Sequence, residues 1–281
     1  MYRSMHTTKH ISILTLVYQR RNALRNMLRG IASGSMYPAE VVIVHMNEHP
    51  YDFYDEYPFP IRAISLATDG PLNLSLARNT AMEHATTPYA IFLDVDCIPE
   101  TPLLAQYKLK FEQQPELVSG RVRYLPNGFD QVPNWSDRMY EISTPDPVRS
   151  ALSEYPYELF WSLNFGCAKD TFERIGGFDE AYLGYGGEDT DFAFNAREKG
   201  VSLQTIDTLA FHQHHPTYDP PVDHLKSIVG NATYFRRKWG RWPMEGWLRS
   251  FEEKGFIHFT DEEIILLNEP TPQDAIQFLR D

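Results

Sequence analysis

Apolar residues in the first hundred positions fall into short β-branched runs separated by stretches spaced for helices. Ile11–Val17, Val41–Val44, Ile61–Leu66 and Tyr89–Leu93 read as buried strands. Between the first two, the polar and basic stretch Gln19–Arg29 leads into a face of Leu24, Met27, Leu28 and Ile31 at helical spacing, with Gly30 and Gly34 as stop signals. Leu72–Ala85 reads as a second helix. Strands alternating with helices make βαβ units and a mostly parallel sheet, and such sheets collect ligands at the carboxyl ends of their strands.

Further along, Thr101-Pro102 pairs an N-cap with proline at the first helical position and predicts a helix to about Gln114. Residues 120–160 are rich in Pro, Tyr and charge with little periodicity, and read as long loops and edge strands around a cleft. Asp170 can cap a short helix through Ile175, stopped by Gly176-Gly177. Helices are expected over Asp191–Lys199 and Val222–Lys238, then after Thr260, whose spacing to Glu263 is that of a capping box, and after Thr271-Pro272. No internal repeat, low-complexity tract or flexible linker divides the chain.

At 281 residues, 42% hydrophobic and 23% charged, the composition is that of a soluble protein with a sizeable core. The net charge of −12 argues against binding nucleic acid through phosphate neutralisation. Most of it, −10, falls in residues 121–281, so a phosphate-bearing ligand needs a metal ion or a local arginine cluster. Two cysteines, Cys97 and Cys167, make neither a disulfide framework nor a cysteine zinc site. No apolar run approaches the roughly 20 residues of a membrane span, and no secretory signal is visible. The expected location is therefore cytoplasmic, with a peripheral place at the inner face of the membrane as the alternative. The aromatic fraction, 14%, serves a packed core or flat platforms of the kind that sugars stack on.

Three elements carry candidate chemistry. Asp94-Val95-Asp96 follows the fourth strand, where carboxylates two apart share a face and can hold a divalent cation; the plain alternative is a solvated turn. In Gly184-Tyr185-Gly186-Gly187-Glu188-Asp189-Thr190-Asp191, three glycines let backbone approach a ligand. A helix dipole accounts for one or two of the acids that follow, not for the aromatic-glycine loop leading into three. In Phe211-His212-Gln213-His214-His215-Pro216, an extended chain points His212 and His214 one way and His215 the other, a pair suited to metal ligation.

In this order and spacing, the elements resemble the GT-A fold glycosyltransferases. The first half resembles the family-2 type of that fold, through Ile13–Tyr18 ahead of Arg20-Arg21-Asn22, Ser75-Leu76-Ala77-Arg78-Asn79 and Phe92-Leu93-Asp94-Val95-Asp96. The span from Asn164–Lys169 through Glu173–Asp179 to Asp191 resembles the C-terminal signature of the β-1,4-galactosyltransferases. Two departures stand out. Val44-His45-Met46-Asn47-Glu48 lacks the aspartate that family-2 members carry near the end of the second strand, and Leu16-Val17-Tyr18 replaces the galactosyltransferases' Pro-Phe-Arg start.

The resemblance implies an α/β, Rossmann-like, mostly parallel sheet flanked by helices in one continuous GT-A domain. Residues 1–120 would be its nucleotide-sugar-binding half, and residues 121–281 its acceptor-binding and catalytic half with C-terminal helices. It implies a metal held by Asp96, His212 and His214, donor contacts from Asp94, Arg20 and Arg78, and Asp189 as catalytic base. Tyr185, Gly187, Glu188 and Trp161 would meet acceptor or sugar. The implied cofactor is manganese, or magnesium in its place, since a mixed oxygen and nitrogen shell suits manganese better. The implied activity is inverting transfer from a UDP-sugar, of galactose or N-acetylgalactosamine type, to a glycan, glycolipid or other hydroxyl acceptor in polysaccharide biosynthesis. A retaining GalNAc-type transferase and a non-catalytic sugar-binding protein on the same fold are the alternatives. A lectin needs neither Asp189 nor a full ligand set, and a two-metal phosphoesterase would need more clustered Asp and His.

Overall fold

Every residue of β1 (Ile11–Val17) and β2 (Glu40–Met46) is buried, as strands covered on both faces require. The computed structural model describes residues 6–114 and 116–280. With β3 (Ile61–Leu66) and β4 (Tyr89–Leu93), these strands form a parallel half-sheet in the order β3-β2-β1-β4. The sheet continues through β7 (Asn164–Ala168), β6 (Leu117–Tyr124), β8 (Leu203–His212) and the short β5 (Cys97–Pro99). Here β7 runs antiparallel to β4 and β6, β8 is parallel to β6, and β5 is antiparallel to β8.

Strand alternation feeds two cores. Leu14, Val42, Phe92 and Phe165 pack on one face against α2 (Leu74–His84), α5 (Lys169–Ile175) and α6 (Glu188–Glu198). Ile13, Val41, Ile43 and Ile91 pack on the other against α1 (Arg21–Ala32) and α3 (Leu103–Phe111). A third cluster joins α7 (Leu225–Trp239) and α8 (Glu245–Glu253) to the C-terminal segment through Ile228, Phe251 and Phe278. No helix among the described residues is long and apolar enough to cross a membrane.

The structure corrects several expectations. The stretch 120–160 is not all loop and edge. β6 runs into it as an interior strand, and α4 (Trp135–Ile142) lies within it. Arg121 and Arg123 break the apolar pattern of β6 because an irregular covering segment supplies their acceptors. Arg121 donates to the carbonyls of Leu152 and Ser153, and Arg123 to that of Ser143. Thr260 does accept from the backbone N–H groups of Glu262 and Glu263, yet it sits in the turn of a hairpin, Ile257–Phe259 with Ile264–Leu266, and starts no helix. The same chemistry at Thr271 forms a full capping box with Asp274 and opens α9 (Pro272–Ile276). Finally, α6 begins at Glu188, three residues before the expected start, so Asp189 lies in a helical first turn.

Candidate functional site

The β4 chain leaves the sheet at Asp94 and returns at once as β5, which pairs Cys97 with His212, Ile98 with Phe211 and Pro99 with Ala210. That register sets the last residue of β8 against the acidic turn. Asp96, His212 and His215 each offer a ligand atom, all within 4.8 Å of one another. The expectation named His214 instead, and the structure does not bring it into this group. Strand alternation ends at His212. Gln213 donates its backbone N–H to the Asp96 carbonyl (2.7 Å) and is tied to α1, its side chain donating to the Ala23 carbonyl and accepting from Asn26. The chain then turns, and His215 Nε2 comes to 3.7 Å from Asp96 Oδ2. Burial pulls the His212 imidazole down to about 4, so at neutral pH it is uncharged and its lone pair is free for ligation. Arg20, at the start of α1, stands 4.0 Å from the other Asp96 oxygen.

A second group of charges lies beside the first. Arg78 on α2 is 4% exposed. It donates from Nη1 to Glu188 Oε1 (3.2 Å), and its Nη2 is 3.9 Å from Asp94 Oδ1. One buried guanidinium thus links the end of β4 to the start of α6. Burial pushes the Asp94 carboxyl up to about 6, against the pull of Arg78. Burial, then the Glu188 charge, pushes Asp189 up to about 7, again opposed by Arg78. A carboxyl held near neutrality beside other acids is a frequent mark of proton-transfer chemistry.

The loop before α6 is shaped by glycine. Gly186 and Gly187 have φ of 98° and 91°, a region that side chains with a Cβ rarely adopt. At Gly186 a Cβ would also lie 2.8 Å from Met244 Sδ. The Tyr185 ring stacks on His224 (4.6 Å between centroids, 21°), and burial, then the charges of Glu188, Asp189 and Asp94, raise its phenol. Trp161 carries the Arg149 guanidinium 4.1 Å over its ring.

Asp191 is fully buried and does more than offset a helix dipole. It accepts from Tyr182 Oη, Asn195 Nδ2, Lys238 Nζ and Trp239 Nε1, at 2.7 to 3.1 Å. It anchors α7 to α6. Asp191→Ala is expected to cost roughly 3–5 kcal/mol, as breaking a buried ion pair does, measured by urea unfolding. A loss below about 1 kcal/mol would contradict this role.

The ends of β1 and β2 hold a polar cluster whose bonding the sequence did not foretell, although the run Val44–Glu48 stood out there. Gln19 and Asn47, just after β1 and β2, have left-handed φ of 54° and 52°, strain that tends to cluster at functional sites. Glu48 ties them together, accepting from the Gln19 N–H (2.7 Å) and pairing with buried His45 (3.0 Å). A polar run at the end of an otherwise apolar strand was the available signal.

Solved structures share this architecture. S. aureus TarS, residues 1–349, aligns with 80% of this chain and 64% of its own at a TM-score of 0.56 and 14% identity. GalNAc-T7, solved with UDP, GalNAc and Mn2+, aligns with 73% of this chain and 44% of its own at 0.57 and 12%. With the family match over the same strands, the class is that of the GT-A-fold glycosyltransferases. Residues 12–168, more than half of the chain, match glycosyl transferase family 2, and residues 148–217 match the pattern described as the N-terminal domain of galactosyltransferase. The chain belongs to glycosyl transferase family 2.

Among curated relatives, the Pasteurella multocida hyaluronan synthase is 23% identical over 252 residues, 78% of this chain and 26% of that protein. The validoxylamine A glucosyltransferase of Streptomyces hygroscopicus subsp. jinggangensis is 30% identical over 140 residues, 50% of this chain and 31% of that protein. The chain therefore spans between a quarter and a third of the length of these relatives.

Proposed function

We propose that this protein moves a sugar, of galactose or N-acetylgalactosamine type, from a UDP-sugar to a hydroxyl of a glycan or glycolipid, with inversion at the anomeric carbon. The observation that carries the reading is the adjacency of two groups, the ligand set Asp96, His212 and His215 and, two residues from Asp96, the carboxylate Asp94, which Arg78 links to Glu188 beside Asp189. The UDP and Mn2+ held by GalNAc-T7, a structure of the same fold, support the donor and the metal. The polysaccharide setting rests on the hyaluronan synthase relative.

Asp96, His212 and His215 would hold a divalent ion. One carboxylate with two imidazoles, one kept neutral by burial, is a donor set that suits manganese over magnesium. When bound, the ion supplies Lewis-acid stabilisation of the negative charge on the departing diphosphate. Arg20, beside Asp96, adds a second cation for that diphosphate. Arg78 holds Asp94 and Glu188 in place, Asp94 toward the donor sugar and Glu188 toward acceptor hydroxyls. Asp189 takes the proton from the attacking hydroxyl, and a single displacement follows from one base acting on one acceptor. A carboxylate at this position, where the resemblance places an amide in retaining enzymes, favours inversion.

The test is thermal unfolding with UDP, GDP and ADP, each with and without manganese. UDP with manganese is expected to raise the midpoint, with stabilisation approaching about 2.7 kcal/mol at a hundred times Kd. UDP alone should have little effect. Equal stabilisation by UDP with or without metal counts against the metal, and no stabilisation by any nucleotide counts against the transferase reading.

A further inference from the structure

A cleft of about 620 Å³ opens beside the acidic loop, inside the roughly 300–1,000 Å³ range of ligand pockets. It is walled by Pro71, Leu72 and Leu74 at the approach to α2, Val222 and Leu225 at the start of α7, and Ala275 on α9. These side chains are aliphatic. The charged groups of the lining are solvent-exposed and stand at its edge. Lys226 pairs with Glu269 (2.9 Å), His224 with Asp223 (3.3 Å), and the Ser227 hydroxyl donates to the His224 carbonyl (2.9 Å).

The cleft is continuous with the catalytic loop. The Gly184 N–H donates to the Leu72 carbonyl (2.8 Å), and Asn73 bridges Gly184. Tyr185 lines the cleft, and the chain runs from it through Gly186 and Gly187 directly into Glu188 and Asp189 at the start of α6. Whatever occupies the cleft therefore lies next to the acceptor's side of the reaction. Against the aliphatic walls a further sugar ring would find no hydrogen-bond partner, and burying its hydroxyls there is costly. A hydrocarbon needs none and gains from the aliphatic walls.

We infer that the cleft receives a hydrocarbon aglycone, a flexible alkyl or acyl chain attached to the acceptor whose hydroxyl is glycosylated. The inference rests on the transferase reading above and adds the chemical class of the acceptor. It is tested by calorimetric titration of the protein, held with UDP and manganese, with methyl β-D-glucopyranoside, n-octyl β-D-glucopyranoside below its micellar concentration, and methyl β-cellobioside.

The octyl glycoside is expected to bind roughly ten-fold or more tightly than the methyl glycoside, since each buried methylene adds favourable transfer free energy. Ala275→Phe, which fills the cleft from α9, and Leu74→Gln, which makes its wall polar, should each erase that preference while UDP binding and slow donor hydrolysis persist. Equal affinity for octyl and methyl glycosides overturns the inference, as does an octyl preference that survives both substitutions. Tighter binding of the cellobioside than of the octyl glycoside overturns it in favour of a second sugar ring. If the wild type neither binds UDP nor hydrolyses donor, the transferase reading falls and takes this inference with it. Loss of the octyl preference alone, with UDP binding intact, removes only the aglycone.

Discussion

Asp189→Asn should lower turnover by about 10²-fold or more, within the usual reach of general-base catalysis, with little change in UDP affinity. The substitution keeps size and hydrogen-bonding shape, so the Thr190 N–H, which donates to Asp189 Oδ1 (2.7 Å), retains its acceptor. What it removes is a proton acceptor that burial and Glu188 hold near pH 7. The wild-type rate should accordingly rise with pH through about 7 and fall away below it as Asp189 becomes protonated.

Stability should move the opposite way. A carboxyl raised above its unfolded value contributes most below that unfolded value, and the contribution is lost as pH rises toward the folded one. The Asn variant should then be at least as stable as the wild type near pH 8. Transfer or slow donor hydrolysis, with the product's anomeric configuration followed by NMR, reads the effect. Near-normal turnover would strike Asp189 as base and leave Glu188 as the next candidate, and retained configuration in the product would remove the inverting mechanism.

At the metal site, Asp96→Ala, His212→Ala and His215→Ala should each cut manganese-dependent UDP binding by more than the roughly 10–100-fold that loss of an outer-shell partner costs. His214→Ala should be mild, because it stands outside the group that Asp96 forms with the other two histidines. Asp96 is largely buried, its side chain 13% exposed, but its partner Arg20, 4.0 Å away, is 39% exposed and stays solvated without it. Its loss should therefore change stability little. Calorimetry of UDP with manganese separates the outcomes. If His214→Ala abolishes metal-dependent binding and His215→Ala spares it, the chain after β8 continues its alternation when metal is bound, and the ligand set is the one that strict extension would give.

That difference marks where sequence reasoning reaches its limit. Ile11–Val17, Ile61–Leu66 and Tyr89–Leu93 are strands at the bounds expected. Ile61–Leu66, expected to be buried, lies at the end of the sheet half-buried, with Arg62 and Ser65 exposed. Burial on both faces keeps the other two almost wholly apolar. The parallel sheet, the acids at the end of its fourth strand and the glycine loop ahead of Glu188 were legible for the same reason: each is a local demand of backbone or burial written into adjacent residues.

Tertiary structure decided the rest. β6 hides as an interior strand behind Arg121 and Arg123, whose acceptors come from about thirty and about twenty residues further on. Thr260 and Thr271 carry the same capping chemistry, and only one opens a helix, since the chain after Thr260 is held as a hairpin. Asp191 looks like a dipole acid until α7 arrives with Lys238 and Trp239. His215 rather than His214 meets Asp96 because Gln213 bonds to α1, nearly two hundred residues earlier. Periodicity can say which face a side chain takes while a strand lasts. Where the strand ends, and what then captures the chain, depends on contacts that adjacent residues do not encode.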